Sequence, residues 1–348
     1  MSSNKYLEWL SSTKSYWWND SAILADMDQA IENGATGVTT NPLLVKRSLY
    51  GVPELWRPIL YGIELKGDAK VEEIIRRITT EIAKKFRPIY ERTEGVQGYV
   101  CAQVNPNFQG DADKMVEMGK RLSQWAPNIA VKVPATAAGV KAIEELAALG
   151  ITTVGTVSFT VPQAVEIARR QQLGLERAKA AHIKPGKAFS VIMVGRLDDY
   201  LRDVAHDMNA PVREEDMIQA GTACIKRAYS ICKERGYESK LMPAGMRGAY
   251  HAISLAGADM SMSLSGGIQA ALGQETEFIE HYMEVVPADV IERLQSIPDF
   301  RRAYEPEGLK PEEFITYGAT QRTLSQFVEA GWTPICEFEL QKKSFKHL

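Results

Sequence analysis

Short apolar runs alternate with longer amphipathic segments over most of the chain. Runs of about four to eight apolar or β-branched residues are typical of buried strands, and apolar positions three and four apart are typical of helices. The pattern predicts strands at 15–20, 36–41, 98–104, 128–134, 151–157, 187–194, 240–244 and 258–264. It predicts helices at 24–33, 70–92, 110–124, 138–148, 162–173, 213–235, 247–256 and 286–296.

Eight strands that each precede a helix predict a parallel sheet with crossover helices. Eight such units suit closure into a (β/α)8 barrel. An open doubly wound sheet is the alternative, and it is weakened because no predicted strand leads into a GxGxxG phosphate loop. We therefore predict one α/β barrel domain over 1–348, with 300–348 as a C-terminal helical tail that packs on the barrel or covers its mouth. Within that tail, 311–330 reads as one helix.

Composition and charge narrow the choice of partners. The chain has 348 residues, of which 45% are hydrophobic, so a large core can form. A formal net charge of −3 gives no reason to expect nucleic acid or an anionic membrane as a partner. The N-terminal segment lacks the apolar core of a signal peptide, and no run approaches the roughly 18 apolar residues of a membrane span. We expect a cytoplasmic protein.

The cysteines and histidines are scattered along the chain. Cys101, Cys224, Cys232 and Cys336 form no CxxC pair, which favours free thiols. The five histidines form no HxH or HxxxH pair. The sequence therefore predicts no metal site.

Lys132 lies inside the fourth predicted strand, between Val131 and Val133. Both faces of a central parallel strand are buried, so the side chain points either into the barrel or toward the covering helices. Burial disfavours the charged ammonium and favours a neutral amine, the form that attacks a carbonyl carbon to give an imine. A lysine that reaches solvent, or one in a structural ion pair, is the alternative that spacing alone leaves open.

Polar side chains stand at the carboxyl ends of several other predicted strands. In a barrel these ends converge on one mouth, where active sites of the fold occur, and two arginines there suit a phosphate group. Each residue also has a structural interpretation. Asp20 could cap the next helix, Asn41 before Pro42 could shape a turn, and an arginine could form a surface ion pair. The residues at these ends are Asp20, Asn41, Gln103, Thr156, Arg196 and Arg247.

Five segments resemble the transaldolase family in order and spacing. They are VTTNPLL, VKVPAT, GITTVGTVSFTVPQA, MVGR and AGMR, and the resemblance extends from about Asp20 to about Leu272. It implies a (β/α)8 barrel that uses neither a metal nor an organic cofactor. It also implies an enzyme of carbohydrate metabolism, in the pentose phosphate pathway. Such enzymes cleave a ketose phosphate between C3 and C4 through a lysine imine and pass the dihydroxyacetone unit to an aldehyde phosphate.

The resemblance assigns roles to residues at matching positions. Lys132 would form the imine, and Asp20 would be the acid–base group for the C4 hydroxyl. Asn41 would hydrogen-bond the dihydroxyacetone unit. Gln103 and Thr156 would be catalytic positions, with Thr156 holding the catalytic water.

Further positions would contact the substrate. Arg196 and Arg247 would bind its phosphate group. Thr39, Ser190 and Met193 are the remaining candidates for substrate binding. The implied partner is therefore a small sugar phosphate, and the family likeness also suggests a homodimer or a larger homo-oligomer.

Four positions depart from the family pattern. Transaldolases carry Glu where this chain has Gln103, whereas fructose-6-phosphate aldolases carry Gln there. Those aldolases have Tyr, and most transaldolases Phe, at the position of Met193. Val154 replaces an Asn that contacts the donor, and Gly245 replaces a Ser that assists the arginines. The pattern indicates imine chemistry with an altered donor or acceptor.

Three functions follow from these residues. The first is transaldolase-type transfer of a dihydroxyacetone unit, favoured by chain length and the tail. The second is direct aldol cleavage of a ketose or ketose phosphate, favoured by Gln103. The third is a non-catalytic barrel with a binding role, against which the retained Lys132 and Asp20 argue.

Overall fold

The computed structural model describes residues 4–340, and eight parallel strands form its centre. Successive strands from β1 to β7 pair in parallel, β1 also pairs with β8, and β7 lies beside β8, so the ring is nearly closed. The predicted (β/α)8 barrel is confirmed. The strands are β1 Tyr16–Asp20, β2 Gly37–Thr39, β3 Tyr99–Gln103, β4 Ile129–Pro134, β5 Thr153–Thr156, β6 Ala188–Ile192, β7 Lys240–Pro243 and β8 Ser261–Leu264.

Helices surround this ring and connect its strands. In chain order they are α1 Lys5–Ser12, α2 Asp26–Glu32, α3 Pro42–Gly51, α4 Pro53–Leu60, α5 Gly67–Arg92, α6 Ala112–Ser123, α7 Ala137–Ala148, α8 Val161–Ala180, α9 Val194–Met208, α10 Glu214–Met217, α11 Ala220–Glu234, α12 Ala249–Ile253, α13 Gly266–Leu272, α14 Ala288–Leu294, α15 Pro298–Tyr304, α16 Gly318–Phe327 and α17 Thr333–Glu337. Within residues 4–340, none of these helices is long and apolar enough to cross a membrane.

An aromatic cluster inside the barrel shows which side chains face inward. The ring centroids of Trp18 and Phe189 are 4.9 Å apart, and those of Tyr99 and Phe189 are 6.4 Å apart. These residues come from β1, β3 and β6 and meet across the interior. Because strand side chains alternate between faces, Asp20 shares the inner face with Trp18, and Gln103 shares it with Tyr99, nearer the carboxyl ends.

Polar side chains cap the helices that begin directly after strands at the mouth. Asn41 accepts a hydrogen bond from the backbone N–H of Leu44 at the start of α3 (3.0 Å). Thr136 accepts one from Gly139 at the start of α7 (3.0 Å). These caps satisfy N–H groups that have no partner within the helix, and they fix how each chain segment leaves its strand.

Several helices differ from the sequence-based prediction, since α1, α3, α4, α9 and α13 lie outside every predicted helix. The first helix predicted after the sixth strand was 213–235, but α9 already begins at Val194. Its inner face carries Val194, Leu197, Leu201 and Ala205, which are buried. The predicted strand 187–194 included Val194, the first residue of this helix. The predicted helix at 311–330 is divided into a 3-10 turn (Pro311–Thr316), α16 and a π-helical turn (Val328–Trp332).

The C-terminal segment contacts helices that begin at the mouth of the barrel. On one side, Gln163 of α8 donates a hydrogen bond to the Thr320 hydroxyl (3.2 Å). On the other side, the Trp332 indole donates to Asp68 of α5 (2.8 Å). Between them, a Cβ at Gly331 would lie 2.9 Å from backbone atoms at the start of α3. The predicted single domain over 1–348 stays a prediction, and residues 1–3 and 341–348 lie outside the described residues.

Gly139 is required by the close approach of α7 to the end of β4. A Cβ at this position would lie 1.8 Å from the carbonyl oxygen of Pro134. We expect Gly139→Ala to lower the free energy of unfolding by about 1–3 kcal/mol, because the backbone must shift to admit the methyl group. Chemical denaturation would measure this. Gly110→Ala is the control, since a Cβ there has no atom within 4 Å, and equal stability of both variants would contradict the expectation.

Candidate active site

Lys132 is buried in the interior of the barrel. Its side chain is in register between Gln103 of β3 and Val154 of β5, so all three face the same way. The residue is only 5% exposed, and its amine donates one hydrogen bond, to the backbone carbonyl of Thr40 (3.3 Å). Within residues 4–340 no carboxylate lies within ion-pair distance of this amine. Both structural alternatives, a solvent-reaching lysine and an ion-paired lysine, are therefore excluded.

The interior also contains polar groups without partners in the described chain. Both amide atoms of Gln103 and the hydroxyl of Thr156 are buried and lack a hydrogen-bond partner within residues 4–340. Leaving a buried polar group without a partner costs about 1–3 kcal/mol, so each case calls for an explanation. Gln103 is directly beside Lys132, and Thr156 lies at the end of the next strand. Their arrangement around one amine is typical of a site that binds a polar molecule.

Asp20 ends β1 and is oriented by a chain of hydroxyl groups. The Thr39 hydroxyl donates to a carboxylate oxygen of Asp20 (2.7 Å) and lies 2.6 Å from the Ser263 hydroxyl. Because Thr39 has one proton to donate, Ser263 is the donor in the second bond. The carboxylate does not cap the following helix, whose N-cap residue is Ala25. The sequence did not predict a role for Ser263, because Ser263 lies 224 residues from its partner Thr39 in the chain.

Cys101 lies close to both candidate catalytic groups. It occupies β3 two residues before Gln103, on the same inner face. Burial raises the pKa of its thiol to about 11, while the charge of Lys132 acts to lower that pKa and the charge of Asp20 acts to raise it. The charges of the Lys132 amine and the Asp20 carboxylate therefore both influence the same buried thiol in the barrel interior.

Asn41 and Thr39 already have structural partners. The Asn41 side-chain oxygen caps α3, so its structural role is that of a helix N-cap, and its amide N–H groups are what it could offer a ligand. The Thr39 hydroxyl is engaged by Asp20 and Ser263. Direct substrate contact by either side chain stays a prediction.

The two predicted phosphate-binding arginines lie on adjoining turns. A Cβ on Gly195 would come within 2.6 Å of the Gly245 carbonyl oxygen and 2.7 Å of the Arg247 side chain, so the turns touch. Arg247 is half-exposed and donates to the Asp199 carboxylate (2.7 Å). Burial, and then the nearby charge of Arg247, lower the pKa of Arg196 below its usual range. The two guanidinium groups therefore repel each other, and an anion between them would relieve this repulsion.

Ser190 and Met193 face different parts of the structure. The Ser190 hydroxyl donates to the backbone carbonyl of Ala164 in α8 (2.8 Å), so it faces the helical layer and not the barrel interior. This corrects the placement of Ser190 among the substrate-binding residues, because strand alternation turns Phe189 inward and its neighbour outward. Met193 is buried at the mouth, 3.7 Å from where a Cβ of Gly245 would lie.

The remaining predictions concern cysteines and metals. All four cysteines are free. In the part of the chain that the structure describes, no group of three or more His, Cys, Asp or Glu side chains could hold a metal ion.

Comparison with known proteins identifies the family to which this arrangement belongs. The model of the Transaldolase/Fructose-6-phosphate aldolase family matches residues 17–297. The chain belongs to this family. Lys132, Asp20 and both arginines all lie inside the matched region, whereas α15, α16 and α17 lie beyond it.

Curated relatives carry the name transaldolase. Transaldolase 1 of Streptomyces avermitilis is 34% identical over 171 residues, which cover 47% of this chain and 44% of the relative. Transaldolase of Thiobacillus denitrificans is 31% identical over 175 residues, 48% of each chain. Transaldolase 1 of Streptomyces coelicolor is 29% identical over 253 residues, which cover 70% of this chain and 64% of the relative. The first two alignments span about half the length of each relative.

The departures from the transaldolase family pattern surround Lys132 and the arginines. Gln103 and Val154 flank Lys132 on its two sides, so one neighbour is a neutral amide and the other is apolar. Gly245 has a left-handed backbone (φ +60°), and a Cβ there would lie 3.5 Å from the Arg196 side chain. The pocket beside the amine therefore offers fewer charged and hydrogen-bonding groups than the family pattern does.

A buried Asp198–His251 pair joins the two arginine turns of this family member. Asp198 lies in α9 just after Arg196, and His251 lies in α12 just after Arg247. Their side chains are fully buried, with His251 Nε2 2.8 Å from an Asp198 oxygen. The Arg247 backbone N–H donates to His251 Nδ1 (3.3 Å), so the ring proton must lie on Nε2. Burial raises the pKa of Asp198, although its hydrogen bond to His251 opposes that rise.

Sequence reasoning missed this pair because its members are 53 residues apart. Each lies at the first turns of a helix, where nothing in the local pattern marks it as buried. The sequence signal for this pair is that each member follows one of the two predicted phosphate-binding arginines within a few residues. Asp198 is two residues after one predicted phosphate-binding arginine, and His251 is four residues after the other.

We expect Asp198→Asn to move the ring proton of His251 from Nε2 to Nδ1. The new amide keeps its oxygen toward the Gly221 N–H, which donates to Asp198 at 2.7 Å, and turns N–H groups toward the ring. A proton on Nδ1 then opposes the Arg247 N–H and displaces that turn. The ring 15N chemical shifts report the tautomer, with His251→Gln used to assign the signal.

Asp203→Asn is the matched control for this substitution. Asp203 lies on the same helix, is exposed, and pairs with Arg322 at the surface. It should leave the His251 spectrum unchanged. A wild-type spectrum with the proton on Nδ1 would show that the hydrogen-bond assignment is wrong.

Proposed function

We propose that this chain transfers a dihydroxyacetone unit between sugar phosphates through an imine on Lys132. The observation that carries the proposal is a buried lysine amine with no carboxylate partner in the described chain and one weak hydrogen bond. An amine that faces the barrel interior and forms no ion pair can attack a substrate carbonyl, as imine formation needs. Membership of the family and the transaldolase names of the relatives support the same reaction.

The proposed reaction begins when the amine attacks the C2 carbonyl of a ketose phosphate and water leaves. The protonated imine is an electron sink, so the electrons of the C3–C4 bond can flow into it as that bond breaks. Asp20 takes the proton of the C4 hydroxyl, and the departing fragment becomes an aldehyde. The three carbons that stay on Lys132 form a neutral enamine.

Transfer is completed when the enamine carbon attacks the carbonyl carbon of an acceptor aldehyde. Asp20 returns its proton to the oxygen of that carbonyl, which becomes the new C4 hydroxyl. Water then hydrolyses the imine, frees the amine and releases the new ketose phosphate. The Thr39 hydroxyl, held by Ser263, keeps the Asp20 carboxylate oriented for both proton transfers.

Gln103 and Thr156 would orient the water molecule that enters and leaves during imine exchange. Their polar atoms lack partners in the described chain; Gln103 is in register with Lys132, and Thr156 lies two residues beyond Val154, the register neighbour of Lys132 on β5. An amide cannot accept a proton as a carboxylate would, so this water must exchange its proton with Asp20 or with the amine.

Arg196 and Arg247 would bind the substrate phosphate at the adjoining turns of the mouth. Both are cationic, and planar guanidinium groups match phosphate oxygens in a bidentate manner. The proposed partner is accordingly a small sugar phosphate. Assembly into a homo-oligomer and a cytoplasmic location stay predictions.

Direct aldol cleavage is the second candidate function. Gln103 beside Lys132 favours it, because fructose-6-phosphate aldolases carry the same residue. The relatives cited above are named transaldolase, which favours transfer. Both reactions pass through the enamine. In direct cleavage the enamine carbon is protonated, whereas in transfer it attacks the carbonyl of an acceptor aldehyde.

We expect borohydride with fructose 6-phosphate to trap a dihydroxyacetone adduct on Lys132. Lys132→Met keeps the volume of the side chain but has no amine, and it should lose the adduct together with about 10³-fold or more of the activity. Peptide mass spectrometry locates the adduct. Lys141→Met, at an exposed position of α7, is the control and should behave as the wild type. An intact, folded protein with no adduct from fructose 6-phosphate or from other ketoses would support the non-catalytic barrel.

We expect turnover of fructose 6-phosphate to depend on an added aldehyde phosphate. A transferase holds the donor fragment as the enamine until an acceptor aldehyde takes it, whereas an aldolase protonates the enamine and releases the fragment. Product formation with and without acceptor, measured by chromatography, separates the two reactions. Free dihydroxyacetone released at the same rate in both conditions would assign the chain to the aldolases.

A further inference from the structure

The C-terminal extension brings three side chains to Arg196. Thr323, Gln326 and Phe327 lie in α16, beyond the part of the chain that the family model matches. The Arg196 Nη1 group donates to the Gln326 side-chain oxygen (2.6 Å), and the Thr323 hydroxyl lies 3.5 Å from the same nitrogen. The Phe327 ring centroid lies 5.9 Å from the centre of the guanidinium. The extension therefore contacts the candidate phosphate site itself.

These contacts hold Arg196 without neutralising it. Amide, hydroxyl and aromatic groups carry no formal charge, and within residues 4–340 no carboxylate is ion-paired with Arg196. Arg247 differs, because the Asp199 carboxylate binds its guanidinium directly. In the described chain, the hydrogen-bond partners of the Arg196 guanidinium are thus all uncharged.

The contacts also leave one edge of the guanidinium available. Within the described chain, the hydrogen bonds of Arg196 use Nη1 only, and Nε and Nη2 make none. The Nε–H and Nη2–H groups are the parallel pair that binds two oxygens of a phosphate at once. Gln326 at the opposite side fixes the plane of the guanidinium, so this edge has a defined direction.

The extension is anchored firmly enough to hold these side chains in place. Before α16, Tyr317 donates a hydrogen bond to the Asp299 carbonyl (3.1 Å). Within α16, Arg322 pairs with Asp203 of α9 (2.7 Å). After α16, Lys70 donates to two carbonyl groups, one of them Phe338 (2.8 Å). The segment is thus fixed on both sides of the mouth.

We propose that Thr323, Gln326 and Phe327 complete the anion subsite around Arg196 and make the C-terminal extension a determinant of specificity for the phosphorylated end of the donor. The inference rests on the proposed function and deepens it. These residues are positioning residues, since they act on the phosphate through Arg196. They should influence KM for phosphorylated donors more than kcat.

The test is Gln326→Glu, which places a carboxylate where the neutral oxygen now binds Arg196. The new carboxylate competes with phosphate for the guanidinium. We expect KM for fructose 6-phosphate to rise about tenfold, with kcat nearly unchanged, because the competition acts on binding. Gln326→Met, which keeps the length but lacks the acceptor, should raise KM by a smaller factor.

Gln321→Glu is the matched control, with the same change of charge at another exposed position of α16 and no hydrogen bond to Arg196. Its KM should equal that of the wild type. Equal KM values for the two Glu variants would overturn the inference, as would an equal loss with unphosphorylated fructose as donor. Thermal unfolding midpoints confirm that each variant is folded.

Borohydride trapping with dihydroxyacetone separates failure of this inference from failure of the proposed function. Dihydroxyacetone has no phosphate, so its adduct on Lys132 requires the imine chemistry but not the anion subsite. The adduct should form equally in wild type and in Gln326→Glu. Its absence in the wild type would remove the proposed function, whereas its presence with an unchanged KM would remove only the subsite.

Discussion

The parallel register of β3, β4 and β5 is the constraint on which the rest of the site depends. It places Gln103, Lys132 and Val154 side by side on the inner face of a nearly closed ring. A slip of one residue would turn the lysine toward the helical layer, because strand side chains alternate between faces. The caps at the strand ends and the close approach of Gly139 to Pro134 help to hold that register at the mouth.

The barrel interior tolerates polar groups at a cost in stability. The Lys132 amine has one carbonyl partner at 3.3 Å, and the amide of Gln103 has no partner in the described chain. Below them the interior is filled by aromatic rings such as Trp18 and Phe189, which contribute apolar burial. The molecule is thus packed tightly at the amino ends of its strands and is polar at their carboxyl ends, where chemistry occurs in this fold.

Charge is divided unequally between the two arginines. Arg247 shares its charge with Asp199, while Arg196 is held by uncharged groups from the C-terminal extension. Behind both, the Asp198–His251 pair ties the two turns together through the Arg247 backbone. Arg196, which lies within the region matched by the family model, is therefore in contact with α16, which lies beyond that region.

The fold could be predicted from the sequence because strands and helices leave patterns among residues that are close together in the chain. Apolar runs and helical spacing located all eight strands, and the strand context marked Lys132 and Asp20. The same reasoning missed α9 and assigned its first residue, Val194, to the preceding strand. The same reasoning predicted one helix across 311–330, where the structure has a 3-10 turn, the helix α16 and a π-helical turn.

The sequence by itself determined the strand order along the chain, the buried lysine and the polar strand ends, because periodicity and residue type are properties of neighbouring residues. Only the tertiary structure decided which face each side chain takes and what it meets. Ser190 turned out to face α8, and Arg196 turned out to contact Gln326, 130 residues away. Such contacts depend on strand register and on the packing of segments that are distant in the chain, and the residue pattern within one segment predicts neither.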